Sequence, residues 1–168
     1  MWYVLYDPHN GDDKLKDSIR RHVSEDILDG AFIFTYERMK RYGGQWHTEI
    51  LPMSPHYIFL ESRNMSQLSK ELEQYRKIVR VLEDKEILWS IYPEEEEFLR
   101  SLCGENHHLS MSRGYVKDGM THITHGPLFG MERRIRKIDR HKRIARIEAP
   151  LKHISDSLLA GLEIVSKA

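Results

Sequence analysis

Cysteine is almost missing from the chain: Cys103 stands alone among 168 residues. One thiol can form neither an internal disulfide nor a thiolate metal cluster, and such usage suits a reducing cytoplasm, so a cytoplasmic protein is expected. Long apolar runs are missing too. No stretch approaches the roughly 18 uninterrupted apolar residues of a membrane-spanning helix, so a soluble chain without a membrane partner is expected. The apolar opening Met1–Tyr6 has no basic region before it, and Asp7, Pro8 and Gly11 follow too closely for a signal peptide. Net charge is also absent, because 26 Lys and Arg balance 26 Asp and Glu. A pointer to a polyanionic partner must therefore come from how the charge is distributed.

The distribution is uneven. Between Arg133 and Arg146 the sequence RRIRKIDRHKRIAR holds Arg133, Arg134, Arg136, Lys137, Arg140, Lys142, Arg143 and Arg146, with His141, against the single acid Asp139. Like charges closer than a Debye length, about 10 Å at about 0.1 M salt, repel one another. The run is therefore expected to meet a polyanion, and arginine forks suit the phosphates and irregular loops of RNA. The acidic stretch Glu94–Glu97 has a structural explanation instead. Pro93 fits a first helical position, and acids in a first turn meet the positive end of the helix dipole.

Periodicity divides the chain. Met1–Tyr6 reads as an interior strand closed by Asp7 and Pro8. Leu15, Ile19 and Val23 recur every four positions, predicting an amphipathic helix over Asp12–Val23 with a basic outer face. Ala31–Tyr36 predicts a strand, Gly43 and Gly44 a flexible hairpin, and Tyr57–Leu60 a further strand. Asn64 can cap a helix with Gln67 at its third position and Met65, Leu68, Leu72 and Tyr75 as its stripe. A strand is predicted at Ile78–Leu82 and a helix from Pro93 to its stop at Gly104. The periodicity vanishes over GENHHLSMSR, where a linker is placed, and short β-branched runs separated by Gly and Pro follow, which suggests a small barrel.

Ten histidines raise a metal site. His122 and His125 are three apart, an odd spacing that sends strand side chains to opposite faces, and His107 and His108 have no ligand partner nearby, so no metal is expected. A nuclease using His with the Glu94–Glu97 carboxylates finds no supporting motif spacing, so an enzyme is not expected.

The residues Ile123-Thr124-His125-Gly126-Pro127-Leu128, then Gly130, Ile135, Ile138, Asp139 and Ala145–Ile147, resemble a KOW domain, the SH3-like barrel of NusG proteins. Trp2-Tyr3-Val4, Phe34-Thr35-Tyr36-Glu37, the pair Gly43 and Gly44, and Pro55-His56-Tyr57-Ile58-Phe59 resemble the NusG N-terminal (NGN) domain. The resemblance implies an α+β chain. Residues 1–103 would form an NGN domain with an antiparallel sheet and flanking helices, 104–112 a linker, and 113–168 an all-β KOW barrel. It also implies a non-enzymatic transcription elongation factor without cofactor, expected to be a monomer. The NGN domain would bind the clamp helices of RNA polymerase through an apolar depression lined by Trp2, Tyr6, Tyr57 and Phe59.

Departures from the family pattern refine this. His56 and Arg133 stand where glycines are usual, Ser54 replaces an aromatic, and Leu151-Lys152-His153-Ile154 lacks most of the usual Ile-Phe-Gly-Arg. Losing an exposed aromatic and an arginine weakens an interface, which argues for a specialised paralogue. The arginine-dense barrel and the closing Gly161-Leu162-Glu163-Ile164-Val165 most resemble LoaP-type antiterminators. That implies processive antitermination of long operons, with the KOW domain binding an RNA hairpin in the leader transcript through Arg133, Arg134, Arg136, Lys137, Arg140, His141, Lys142, Arg143 and Arg146. Two alternatives stand beside it: recruitment by non-template DNA through Lys14, Arg20, Arg21 and His22 of the first helix, or a general NusG-like elongation role.

Overall fold

The computed structural model describes residues 1–9, 13–79 and 87–167. In chain order they form β1 (Trp2–Tyr6), α1 (Lys14–His22), β2 (Gly30–Phe32), β3 (Thr35–Tyr42), β4 (Gln45–Pro52), β5 (Tyr57–Glu61) and α2 (Met65–Leu72). Next come β6 (Trp89–Ser90), α3 (Pro93–Cys103), β7 (His108–Leu109), β8 (Ser112–Lys117), β9 (Met120–His125), β10 (Ile135–Asp139), β11 (Ile144–Leu151) and β12 (Ser155–Lys167). The class is mixed α+β, with three α-helices among the described residues. Two compact units result: Met1–Ile33 with Ser54–Glu96, and Phe34–Met53 with Glu97–Ala168. The second unit thus includes the β3–β4 hairpin, which the expected division at residue 103 assigns to the first domain.

The first unit is built on the sheet β2-β5-β1-β6. Strand alternation sends Tyr3 and Leu5 of β1, with Ile58 and Leu60 of β5, to one face, where they join Leu15 and Ile19 of α1 and Leu68 and Leu72 of α2 in one core. Each such fully buried aliphatic side chain contributes about 1.5–3 kcal/mol relative to exposure. Helix α2 starts as its sequence predicts: the Asn64 side chain accepts from the Gln67 backbone N–H at 3.1 Å. Leu68 and Leu72 form its buried stripe, and Tyr75, expected on the same stripe, is buried in the 3-10 turn Glu73–Tyr75 that follows, whereas Met65 is 39% exposed. Helix α1 runs over Lys14–His22, and the Asp12 start predicted for it lies outside the described residues. Of the strand predicted at Ile78–Leu82, Ile78 and Val79 lie in a turn and a bend, and residues 80–82 fall outside the described residues.

The predicted strand Ala31–Tyr36 is two strands. Gly30–Phe32 pairs with β5 in the first unit, and Thr35–Tyr42 pairs with β4 in the second. No glycine or proline marks the break at Ile33 and Phe34, so an unbroken apolar run conceals it. β3 then continues through a polar segment to a two-residue turn in which Gly43 and Gly44 take φ of 59° and 76°, the left-handed pair that matches hairpin twist.

In the second unit β4-β3-β7 form one sheet and β10-β11-β12-β8-β9 another. The stretch predicted as a linker contains β7, whose His108 and Leu109 pair with Thr35 and Tyr36. The His108 Nε2 donates to the Glu37 carboxylate at 3.1 Å and the Met111 N–H donates to its other oxygen at 3.0 Å. The Met111 backbone bond, with His108 beside it, holds the Glu37 carboxyl below the usual carboxylate range. β11 alternates cleanly, with Ala145, Ile147, Ala149 and Leu151 buried. Gly161 of β12 faces the backbone of β3 so closely that a Cβ would collide with the Glu37 carbonyl oxygen and the Met111 sulfur. Cys103 is buried, which pushes its thiol up to about 12.

Candidate nucleic-acid interface

The basic run folds into β10, a turn and the start of β11. The Lys142 N–H donates to the Asp139 carboxylate at 3.0 Å, closing the turn and holding that carboxyl below its usual range. The turn projects Arg140, His141 and Lys142 into solvent. Arg143 takes φ of 53°, and its carbonyl accepts from the Leu162 N–H at 2.9 Å. Its guanidinium lies 3.3 Å from the Glu163 carboxylate and 3.9 Å from the centroid of the Trp46 ring.

Six of the nine predicted RNA-binding residues line two clefts. Lys137, Lys142 and Arg146 line one cleft of ≈300 Å³, and Arg140, His141 and Arg143 line another of ≈570 Å³. Arg133, Arg134 and Arg136 line neither. Arg136 is paired with Glu148 and donates to the Arg133 carbonyl at 3.2 Å, and Arg134 lies 4.8 Å from the Phe98 ring centroid. Charge is partly spent on intramolecular contacts at that end and left to solvent at the turn. A 3-10 turn over Glu132–Arg134 occupies the position at which the sequence carries arginine in place of glycine.

The first unit presents a surface of another kind. The sheet face opposite its helices carries Trp2, Val4 and Tyr6 of β1, Tyr57 and Phe59 of β5, Phe32 of β2 and Trp89 of β6. Phe32 and Phe59 stack at 5.9 Å, while Trp2 meets both rings edge-on. Trp2 and Phe59 are 0% and 2% exposed, so these two predicted contact residues are interior. Tyr6 and Tyr57 are half-buried and meet at 5.2 Å, and His56 stacks on Tyr6 at 5.2 Å while its Nδ1 donates to the Asp7 carbonyl at 2.9 Å. Trp89 meets Tyr57 edge-on at 6.2 Å. The half-buried part of this face is therefore Phe32, Tyr6, His56, Tyr57 and Trp89.

The alternative DNA-binding residues Lys14, Arg20, Arg21 and His22 are all exposed on α1. Helical spacing spreads them over about 200° of its circumference, so they do not share one face. His22 turns back onto its own helix, where its Nδ1 donates to the Ser18 carbonyl at 2.8 Å.

Residues 1–100 match the family described as transcription termination factor NusG. The chain belongs to the NusG family. NusG-family factors typically bind RNA polymerase and act in transcription elongation and termination. No curated protein matches the chain. In this NusG-family protein no helix among the described residues is long and apolar enough to cross a membrane. Among the same residues no group of three or more His, Cys, Asp or Glu is placed to hold a metal ion.

Sequence reasoning missed Trp46, Arg38 and Arg41 of the hairpin, which line the clefts beside the basic turn. It placed His56 in the NGN motif as a departure from glycine and gave its side chain no contact role. A local signal for the hairpin existed in the cluster Arg38, Lys40 and Arg41, but nothing in the sequence says which distant segment those cations face.

Proposed function

We propose that this NusG-family chain is a non-enzymatic, cytoplasmic antitermination factor of LoaP type that needs no cofactor and acts as a monomer. It docks on the clamp helices of RNA polymerase through the aromatic face of its first unit and holds an RNA hairpin of the leader transcript on the basic β10–β11 turn. The five-stranded sheet β10-β11-β12-β8-β9 corresponds on this reading to the KOW barrel. Residues 113–168 would be that domain, reached from an NGN domain through 104–112.

The observation that carries the reading is the solvent-facing concentration of Lys137, Arg140, His141 and Lys142 around one tight turn, in a chain of zero net charge. None of the four makes a direct ion pair among the described residues, and the one acid of the turn, Asp139, attracts only Lys142 and His141. A cationic arc of this kind is stabilised by a polyanion. The aromatic face supplies a second, chemically distinct surface, since half-buried tyrosine and tryptophan favour protein contacts.

The test is a gel shift of the full chain with a stem-loop RNA and with duplex DNA of the same sequence, repeated with Arg140→Glu, Lys142→Glu and Arg143→Glu combined. RNA binding that weakens with salt and is lost in the folded triple variant supports the reading. Undiminished RNA binding by that variant, or a preference for the DNA that Arg20→Glu with Arg21→Glu abolishes, moves recognition to α1 and overturns it.

A further inference from the structure

The basic turn does not stand alone in its unit. Arg41 and Trp46 are directly opposed on the β3–β4 hairpin, which puts both side chains on one face. Met39, two residues back along β3 on that same face, has its sulfur 3.3 Å from the Arg143 guanidinium. Gly161 lets β12 approach β3, and Glu163 and Ile164 follow at once on the same strand. Glu163 holds Arg143 in place, and Ile164 lines the resulting cleft with Arg41, Trp46, Arg140 and Arg143. The cleft measures ≈570 Å³ and opens to solvent, within the range that takes a nucleotide-sized ligand. A second cleft, lined by Lys40, Lys142 and Trp46 among others, continues it along the hairpin.

We propose that this composite cleft receives an unpaired nucleotide from the loop of the bound RNA, its base stacked against Trp46 and its phosphates met by Arg41 and Arg140. The inference rests on the RNA reading of the basic turn and adds the hairpin to it. Three features select this occupant. Planar guanidinium and indole groups offer stacking surfaces to any base. Arg41 and Arg140 are exposed and enter no ion pair in the described structure, so they are available to phosphates. A paired base keeps its faces inside the helix stack, so only an unpaired one can enter. Arg143 lies over Trp46 at 3.9 Å and is tethered to Glu163, which fixes the ring before the base arrives.

The experiment uses the full chain with a stem-loop RNA and with the blunt RNA duplex of the same stem. The wild type prefers the stem-loop. Trp46→Leu and Arg41→Glu each lower stem-loop affinity about tenfold, as loss of one base stack or one phosphate contact should. Trp46→Leu leaves duplex affinity unchanged, whereas the charge reversal at Arg140, Lys142 and Arg143 removes both. The stem-loop also quenches indole emission in the wild type, and Trp46→Leu lacks that component. If the hairpin variants bind the stem-loop as the wild type does, or if the wild type shows no quenching, the composite cleft is wrong while the basic-turn reading stands. If the wild type binds neither RNA, both fail.

Discussion

The two units present surfaces that work by different physics. On the first, half-buried Tyr6, Phe32, His56, Tyr57 and Trp89 extend an aromatic sheet face whose interior is filled by Trp2 and Phe59. On the second, cations gather round one turn and one hairpin, with a single indole among them. Apolar burial barely responds to salt, whereas phosphate neutralisation weakens steeply with it. On the proposed reading, the two surfaces select chemically different partners.

The strongest way to break the comparison is to disturb the strand approach on which only the second unit depends. Gly161→Val places a side chain against the Glu37 carbonyl and the Met111 sulfur, and is expected to cost about 3 kcal/mol or more. Thermal unfolding followed by circular dichroism should show a clearly lowered midpoint, together with lost RNA binding. A variant as stable as the wild type would show that β12 and β3 need no such approach.

Next in size is the charge reversal at Arg140, Lys142 and Arg143, which is expected to weaken RNA binding about 100-fold or more and to flatten its salt dependence. Arg140 and Lys142 are exposed, whereas Arg143 is half-buried against Glu163 and Trp46, so circular dichroism must first show that the variant is folded. Polymerase binding should be unchanged. The converse pair, Tyr6→Ala with Tyr57→Ala, is expected to weaken polymerase binding about tenfold or more, with little change on raising salt and none in RNA affinity. Equal loss of both activities in either variant would merge the two surfaces into one.

The smallest effect concerns pH. Glu37 is held below the usual carboxylate range by the Met111 N–H, with His108 adjacent. Its contribution to stability is therefore present above the ordinary carboxylate value and is lost as pH falls through its lowered value. Glu37→Gln should show a smaller drop in urea midpoint between neutral and acid pH than the wild type. Identical pH profiles would remove Glu37 from the account.

How much of this the sequence disclosed depends on the distance over which each feature acts. The cap of Asn64 on Gln67, the acidic first turn after Pro93 and the stop at Gly104, with φ of 67°, are local and were legible. The basic run was legible as a concentration of charge, but not the separation of Arg134 and Arg136 from the turn, because Phe98 and Glu148 are chosen by packing. Ala31–Tyr36 read as one strand because nothing in an apolar run marks where a chain passes from one sheet to another. Trp2 and Phe59 were expected to line the polymerase-facing depression, and only their burial, with Phe32 packed on both, places them in the interior. The meeting of Trp46 with Arg143 joins residues far apart in the chain, and no periodicity encodes it.

The central claim is that one surface binds RNA by charge while another binds polymerase by aromatic contact. Parallel titrations of the full chain and its triple charge-reversed variant, with stem-loop RNA and with core RNA polymerase at roughly 50 and 200 mM salt, test it most directly. The account predicts that the variant loses RNA but retains polymerase, and that salt weakens only the RNA complex of the wild type. A variant that keeps RNA, or that loses polymerase together with RNA, would contradict it.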